Sequence, residues 1–210
     1  MHVREVTTSA FVIRFSKEGL SHRAGQWVNL GLPRSTNQRE YSLYSSPEED
    51  FLEVLVKEIP EGTVSRALHR CLPGDALAVD GPHGSFTLVE GRRASTRFLF
   101  VATGTGVSPF HCFVRSNPGL DYLLLHGVRD AGELCDRGSF APDRFVPCIS
   151  RAQGKGKFHA GRVTSWLAEK ALDTTRYCYL CGNSDMIYEA YAILRKRGVP
   201  HSRIFAEVYF

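Results

Sequence analysis

The sequence predicts two domains, an antiparallel β-barrel over residues 1–94 and an α/β domain over residues 95–210 whose parallel sheet carries helices on both faces. Three observations lead there. Short strands separated by turns fill the first half, and continuous apolar strands alternate with helical patterns in the second. Between them lies the polar stretch Glu90-Gly91-Arg92-Arg93-Ala94-Ser95-Thr96. A chain of 210 residues has room for two small domains, since domains cluster near about 100–150 residues.

Each element has a local reason. Phe11-Val12-Ile13-Arg14-Phe15, Gln26-Trp27-Val28-Asn29-Leu30 and Leu52-Glu53-Val54-Leu55-Val56 are short, rich in β-branched or aromatic residues, and bounded by Gly, Pro or charge. Strands at this spacing favour a small barrel. A helix over residues 64–71 interrupts them and stops at Leu72-Pro73-Gly74-Asp75. Gly81-Pro82-His83-Gly84-Ser85-Phe86 reads as a tight structural turn. In the second half, Arg97-Phe98-Leu99-Phe100-Val101-Ala102, Tyr122-Leu123-Leu124-Leu125-His126 and Tyr177-Cys178-Tyr179-Leu180-Cys181 are nearly unbroken apolar runs, with helices after them at residues 163–170 and 185–197. Unbroken apolar strands alternating with helices indicate a parallel sheet buried on both sides.

Composition excludes several classes. The apolar fraction (43%) and charged fraction (23%) are those of a globular protein. No apolar run reaches the roughly 20 residues of a membrane helix, and Met1-His2-Val3-Arg4-Glu5-Val6 lacks a signal-peptide pattern. A cytoplasmic protein without a membrane partner is expected. Residues 1–94 carry a net −1 and residues 95–210 a net +5, making +4 overall. A basic half suits an anionic ligand or an acidic protein. The dispersed basic residues, with no recognised motif, argue against nucleic acid. The six cysteines read mainly as buried thiols. Cys178 and Cys181 form a CxxC, but a strand points them to opposite faces, so no metal or disulfide is expected there. No plant-type iron–sulfur ligand spacing occurs, which would put any such cluster on a partner.

Two patterns carry chemistry. Thr103-Gly104-Thr105-Gly106-Val107-Ser108-Pro109 follows an apolar strand directly. Its glycines allow a tight turn and close approach to a pyrophosphate. Ser108 can cap the next helix, Pro109 suits its first position, and the helix N-terminus offers N–H donors to phosphate. A purely structural turn would look similar. The next strand ends in His126-Gly127-Val128-Arg129, without the acidic residue that would hold an adenosine ribose, which favours NADP over NAD. The second pattern is Arg39-Glu40-Tyr41-Ser42-Leu43 on a strand, with Arg39, Tyr41 and Leu43 on one face. An arginine can clamp phosphate, a ring can stack on a planar cofactor, and a hydroxyl can bond a ring nitrogen. A surface strand with aromatic residues is the plain alternative. Gly62-Thr63-Val64-Ser65 opens a helix and suits a second pyrophosphate, or is simply a helix start.

Arg39-x-Tyr41-Ser42, Gly62-x-x-Ser65, Gly104-Thr105-Gly106-x-x-Pro109 and Cys181-Gly182, in this order and at these separations, resemble the ferredoxin–NADP⁺ reductase family. The resemblance runs from Gly25-Gln26-Trp27 to Glu207-Val208-Tyr209-Phe210. It implies an FAD-binding barrel followed by an NADP(H)-binding sheet, in an oxidoreductase. It implies Arg39 on the FAD phosphates, Tyr41 stacked on the isoalloxazine, Ser42 near the flavin N5, and Gly62, Thr63, Val64 and Ser65 at the FAD pyrophosphate. Thr103, Gly104, Thr105, Gly106 and Pro109 would receive the NADP pyrophosphate, and Ser150 and Arg151 the ribose 2′-phosphate, with Arg129 and Arg162 as further candidates. Cys181 would lie near the nicotinamide, Ser42, Cys181 and Glu207 could tune the chemistry, and a C-terminal aromatic, Tyr209 or Phe210, would cover the flavin. Two departures stand out. The chain begins almost at the first barrel strand, and Phe210 follows the tyrosine that ends plant-type members.

The activity so implied is hydride exchange between NADP(H) and flavin, with single electrons passed to ferredoxin or flavodoxin by a monomer. The rivals are an NADH-dependent reductase component of an oxygenase, and a regulatory module that keeps FAD without passing electrons on.

Overall fold

The computed structural model describes residues 1–89, 96–154 and 156–209. The expected domain boundary after residue 94 and the terminal Phe210 lie outside them. Packing divides the chain into two units, Met1–Leu88 with Ser108–Pro118, and Val89–Val107 with the chain from Gly119 onward.

The first unit is antiparallel. Its strands are β1 (His2–Thr7), β2 (Ala10–Ser16), β3 (Trp27–Gly31), β4 (Gln38–Ser42), β5 (Phe51–Lys57) and β6 (Ala78–His83). They form two three-stranded sheets, β1-β2-β5 and β4-β3-β6, joined where Leu43 bridges to Val54. The period of two decides what lies inside: Phe11, Ile13 and Phe15 alternate along β2 and meet Val54 and Val56 of β5 and Val28 and Leu30 of β3. Helix α1 (Thr63–His69) closes this core with Val64 and Leu68. Residues 81–83, read from the sequence as part of a tight turn, belong to β6, because Trp27 of β3 pairs with His83 and draws them into the ladder. Strand β1, unforeseen because only Val3 and Val6 break its polar run, pairs along β2.

Helix α2 (Ser108–Ser116) packs with this unit. Glu53 on β5, 3% exposed, takes Arg14 on one carboxylate oxygen (2.9 and 2.7 Å) and Arg115 of α2 on the other (3.0 Å). A buried carboxylate needs such pairing on both oxygens. Beside it the His111 ring stacks on Tyr44 at 3.6 Å, and its Nδ1 meets the Tyr44 carbonyl at 2.9 Å. The Cys112 thiol donates to the Ser45 carbonyl at 2.9 Å.

The second unit is parallel. Strands β7 (Arg97–Thr103), β8 (Asp121–Val128), β9 (Phe145–Ile149), β10 (His159–Ala160), β11 (Tyr177–Gly182) and β12 (Ile204–Val208) lie in the order β10-β9-β8-β7-β11-β12. Strand order reverses between β7 and β11, and in such sheets ligands bind at the carboxyl ends beside the reversal. Helices α3 (Val163–Glu169) and α4 (Ser184–Lys196) bury Val163, Leu167, Ile187, Ala190 and Leu194 against Leu99, Val101, Cys178 and Leu180. Asn183 caps α4 by accepting the N–H groups of Asp185 (3.0 Å) and Met186 (3.2 Å). Fully buried Phe98, Phe100 and Tyr179 lie on the opposite face. Cys178 therefore sits among the helix-facing side chains and Cys181 points the other way; all six cysteines are free thiols. Among the described residues no helix is long and apolar enough to cross a membrane.

Candidate functional site

Strand β7 ends at Thr103 and the chain turns at once. Gly104–Val107 form a 3-10 helical turn that runs straight into α2. Residues before Ser108 are already helical, so the helical run opens at Gly104. Gly104 takes φ +53°, a left-handed conformation natural to glycine, and a Cβ there would meet nothing within 4 Å. Gly106 is needed for a different reason. A Cβ on it would lie 2.5 Å from the Cys181 carbonyl oxygen and 2.7 Å from the Gly182 Cα, so its absence lets the turn rest on the end of β11. The Thr103 hydroxyl accepts the Asn183 N–H at 3.0 Å, tying β7 to the start of α4. His126, fully buried on β8, donates from Nε2 to the Gly104 carbonyl at 2.9 Å. Burial pushes this imidazole down to about 4, so it is neutral at pH 7.

The loops after β8 and β9 run side by side. Ser150 and Arg151 donate their backbone N–H groups to the carbonyls of Val128 and Arg129, each at 3.0 Å. The Ser150 hydroxyl meets the Val128 carbonyl at 3.3 Å. A cavity of about 250 Å³ opens here, with Leu134, Pro147, Ile149 and Phe158 as its apolar surface and Arg137, Arg151 and Lys157 as its cations. Of the expected phosphate ligands only Arg151 lines it; Arg129 and Arg162 do not, Arg162 standing at the cap of α3. One expectation is corrected. An acidic residue does follow β8: Asp130 stands two residues beyond its end, lines the same cavity, and pairs with Arg151 at 3.4 Å.

On the other side of the strand reversal, Cys181 of β11 pairs in register with Glu207 of β12, and the Tyr209 N–H returns to the Gly182 carbonyl at 2.9 Å. Burial, with the Glu207 carboxylate close by, pushes the Cys181 thiol well up, so it remains protonated. Thr103, Gly106, Cys181, Gly182 and Tyr209 are thereby gathered at the strand reversal, while Ser150, Arg151 and Asp130 form a separate group beyond β8 and β9.

In the first unit, β4 carries Arg39, Tyr41 and Ser42, with Tyr41 opposite Val28 and Ser42 opposite Trp27 on β3. Arg39 is exposed, its guanidinium held by the neighbouring Gln38 carbonyl at 2.8 Å. Tyr41 is half-buried against the barrel core, and burial pushes its phenol up to about 12, so the ring is a neutral stacking surface. Ser42 is buried. Helix α1 follows Gly62, a cap residue with no side chain to bond the first turn, which leaves the first-turn N–H groups to a ligand or water. Ser65 is turned inward, its hydroxyl accepting the Ile59 N–H at 3.2 Å. An exposed guanidinium, a neutral half-buried ring and an uncapped helix start fit a flavin dinucleotide. The open glycine turn and the cationic cavity fit a nicotinamide dinucleotide.

Residues 3–88 match the family model for the oxidoreductase FAD-binding domain. Ferredoxin–NADP reductase B of Sorangium cellulosum is 32% identical over 208 residues, spanning 89% of this chain and 84% of that protein. The chain belongs to the ferredoxin–NADP reductase family. The reductase subunit of an aromatic O-demethylase from Amycolatopsis is 29% identical over 91% of this chain, which spans 62% of the length of that longer protein. A Neisseria gonorrhoeae ferredoxin–NADP⁺ reductase solved with FAD and NADP superposes with a TM-score of 0.83 at 23% identity, over 99% of this chain and 96% of that one. As a family member the protein is an FAD-dependent oxidoreductase with the two-part fold expected from its sequence.

Sequence reasoning missed His126, Asp130, Arg137 and Lys157. Only Asp130 had a signal to find, being an acid just past a strand end. The two cations reach the cavity through loop folding that no periodicity records.

Proposed function

We propose that the protein exchanges hydride between NADP(H) and FAD and passes single electrons to a small carrier such as ferredoxin or flavodoxin. When bound, FAD supplies both the hydride chemistry and the one-electron steps. The chain's residues hold and orient. Arg39 and the start of α1, from Gly62 to Ser65, would take the FAD phosphates, Tyr41 would stack on its ring system, and Ser42 would offer a hydroxyl beside it. The Thr103–Pro109 segment would receive the dinucleotide pyrophosphate on backbone donors. Arg151, supported by Arg137 and Lys157, would hold the 2′-phosphate, for which the Ser150 hydroxyl must turn from the Val128 carbonyl. Cys181, Glu207 and Tyr209 would neighbour the nicotinamide, the neutral thiol placing no charge beside it.

The observation that carries this reading is the glycine turn at the strand reversal, in the same unit as a cavity edged by three cations. Steady-state kinetics with NADPH and NADH against ferredoxin, flavodoxin and a dye test it. A preparation that is colourless and takes up no FAD would end it. A second reading has its own observation: Asp130 beside Arg151 could bond a free ribose 2′-hydroxyl, which favours NADH and the reductase component of an oxygenase. An NADH preference with no reduction of ferredoxin or flavodoxin would decide for that reading.

A further inference from the structure

We propose that His126 is a positioning residue, which through its bond to the Gly104 carbonyl sets the direction of the Gly104–Thr105 peptide and so the aim of the phosphate-binding turn. The inference rests on the reading of that turn as the dinucleotide site.

The turn has two glycines, and only Gly106 is closed in on the side where a Cβ would stand. Gly106 lies against the backbone of β11, whereas around Gly104 a Cβ would find nothing within 4 Å. Glycine has the widest conformational freedom of any residue, and at Gly104 no neighbour on the Cβ side limits it, so a bond to its carbonyl fixes the peptide direction. The imidazole supplies it, with Nε2 at 2.9 Å from the Gly104 oxygen. Because a peptide is planar and trans, a carbonyl pinned toward β8 turns the Thr105 N–H the opposite way.

The anchor itself is rigid. His126 stands in register with Ala102 of β7 and is fully buried. Its ring meets Phe145 edge to face at 6.1 Å, and Phe145 stacks on Phe140 at 5.3 Å. Among the described residues its Nδ1 has no hydrogen-bond partner. With no acceptor at Nδ1, the proton belongs on Nε2, the tautomer that serves Gly104. An unpaired buried acceptor is unfavourable, and stability alone would select an apolar ring at this position. What histidine adds over phenylalanine is the bond to the turn.

The test compares His126→Phe, which keeps a ring without a donor, and His126→Gln, whose amide nitrogen reaches about as far as Nε2. Each FAD-loaded protein is titrated calorimetrically with NADP⁺ and with adenosine 2′-phosphate, which lacks the pyrophosphate. We expect His126→Phe to weaken NADP⁺ about tenfold, the lower end of what one charge-assisted hydrogen bond contributes. Adenosine 2′-phosphate should change less than about twofold, and His126→Gln should recover most of the NADP⁺ affinity. In kinetics the loss should fall on KM for NADPH, with kcat kept. Unchanged NADP⁺ affinity in His126→Phe, or equal losses for both ligands, would overturn the inference, the second showing a structural role only. Should His126→Phe not fold, His126→Asn, too short to reach Gly104, takes its place. Failure of the unaltered protein to bind NADP⁺ or NADH would overturn the dinucleotide reading, and this inference with it.

Discussion

Replacing Arg151 with alanine tests the assignment of the adenosine cavity. Its guanidinium is 64% exposed and its partner Asp130 57% exposed, at 3.4 Å. A solvated pair of this kind contributes only about 0–1 kcal/mol, so Arg151 gives up Asp130 at small cost. A charge-assisted bond to a phosphate is worth roughly 1.5–3 kcal/mol. Arg151→Ala should therefore lower kcat/KM for NADPH by about 10- to 150-fold, toward the lower end because Arg137 and Lys157 remain. NADH has no 2′-phosphate, and its kcat/KM should stay within about twofold. The assay is initial-rate dye reduction over a range of each dinucleotide. Asp130→Asn is the counterpart. Removing a like charge near the phosphate should raise kcat/KM for NADPH by up to about fivefold, the equivalent of about 1 kcal/mol, and lower it for NADH. Equal losses with both dinucleotides in Arg151→Ala would refute the reasoning, since a contact to the 2′-phosphate cannot serve a cofactor that lacks one.

Arg39→Ala should release FAD on dilution or gel filtration, weakening it by roughly 1.5–3 kcal/mol, followed by flavin absorbance per protein. Glu53→Ala leaves Arg14 and Arg115 without their shared carboxylate. Because both guanidiniums remain partly solvated, the loss should be about 1–3 kcal/mol in urea unfolding, below the roughly 3–5 kcal/mol of a fully buried pair. His69 lies between Glu5 and Glu58, whose bonds hold it above the ordinary histidine range; its contribution should be complete below about pH 6.5 and fade as pH rises through the folded value. His126 has the opposite sign: with a folded value of about 4, the unfolded chain takes up its proton first, and stability falls as pH drops from about 6.5 toward 4. Melting curves from pH 5 to 9 should lose the alkaline decline in His69→Gln and part of the acid decline in His126→Gln, with His22, also lowered by burial, keeping the remainder.

The fold was legible wherever periodicity is strong. Strands β2, β3, β5, β7, β8 and β11 were each read within a few residues, because their apolar runs are bounded by turn chemistry. Where the pattern is weak the reading failed. Strand β1 has little apolar alternation and exists because β2 offers it a ladder. Residues 81–83 read as a turn from glycine and proline, yet pairing with β3 overrides that composition. The turn after β7 was legible from its glycines, one taking a positive φ and the other lying against the backbone of β11. The start of the helical run was not, since a serine before a proline looks the same whether that run begins there or four residues earlier.

The side chains that escaped notice share one property: their role depends on a partner distant in the chain. His126 acts on a carbonyl 22 residues away, and Asp130 on a guanidinium 21 residues away. Asp130 also bounds how selective the protein can be. A cavity with three cations and no carboxylate would favour the 2′-phosphate with nothing to recommend the bare ribose. Here one carboxylate stands beside the principal arginine, so whichever dinucleotide enters finds one suitable partner and one unsuitable. Both groups are exposed, so water screens the unsuitable one and its penalty stays near 1 kcal/mol. The gain on the phosphate, about 1.5–3 kcal/mol, is reduced by that penalty. NADPH should therefore lead NADH in kcat/KM by about 2- to 30-fold, and a ratio near 10⁴ would mean that further residues contact the phosphate.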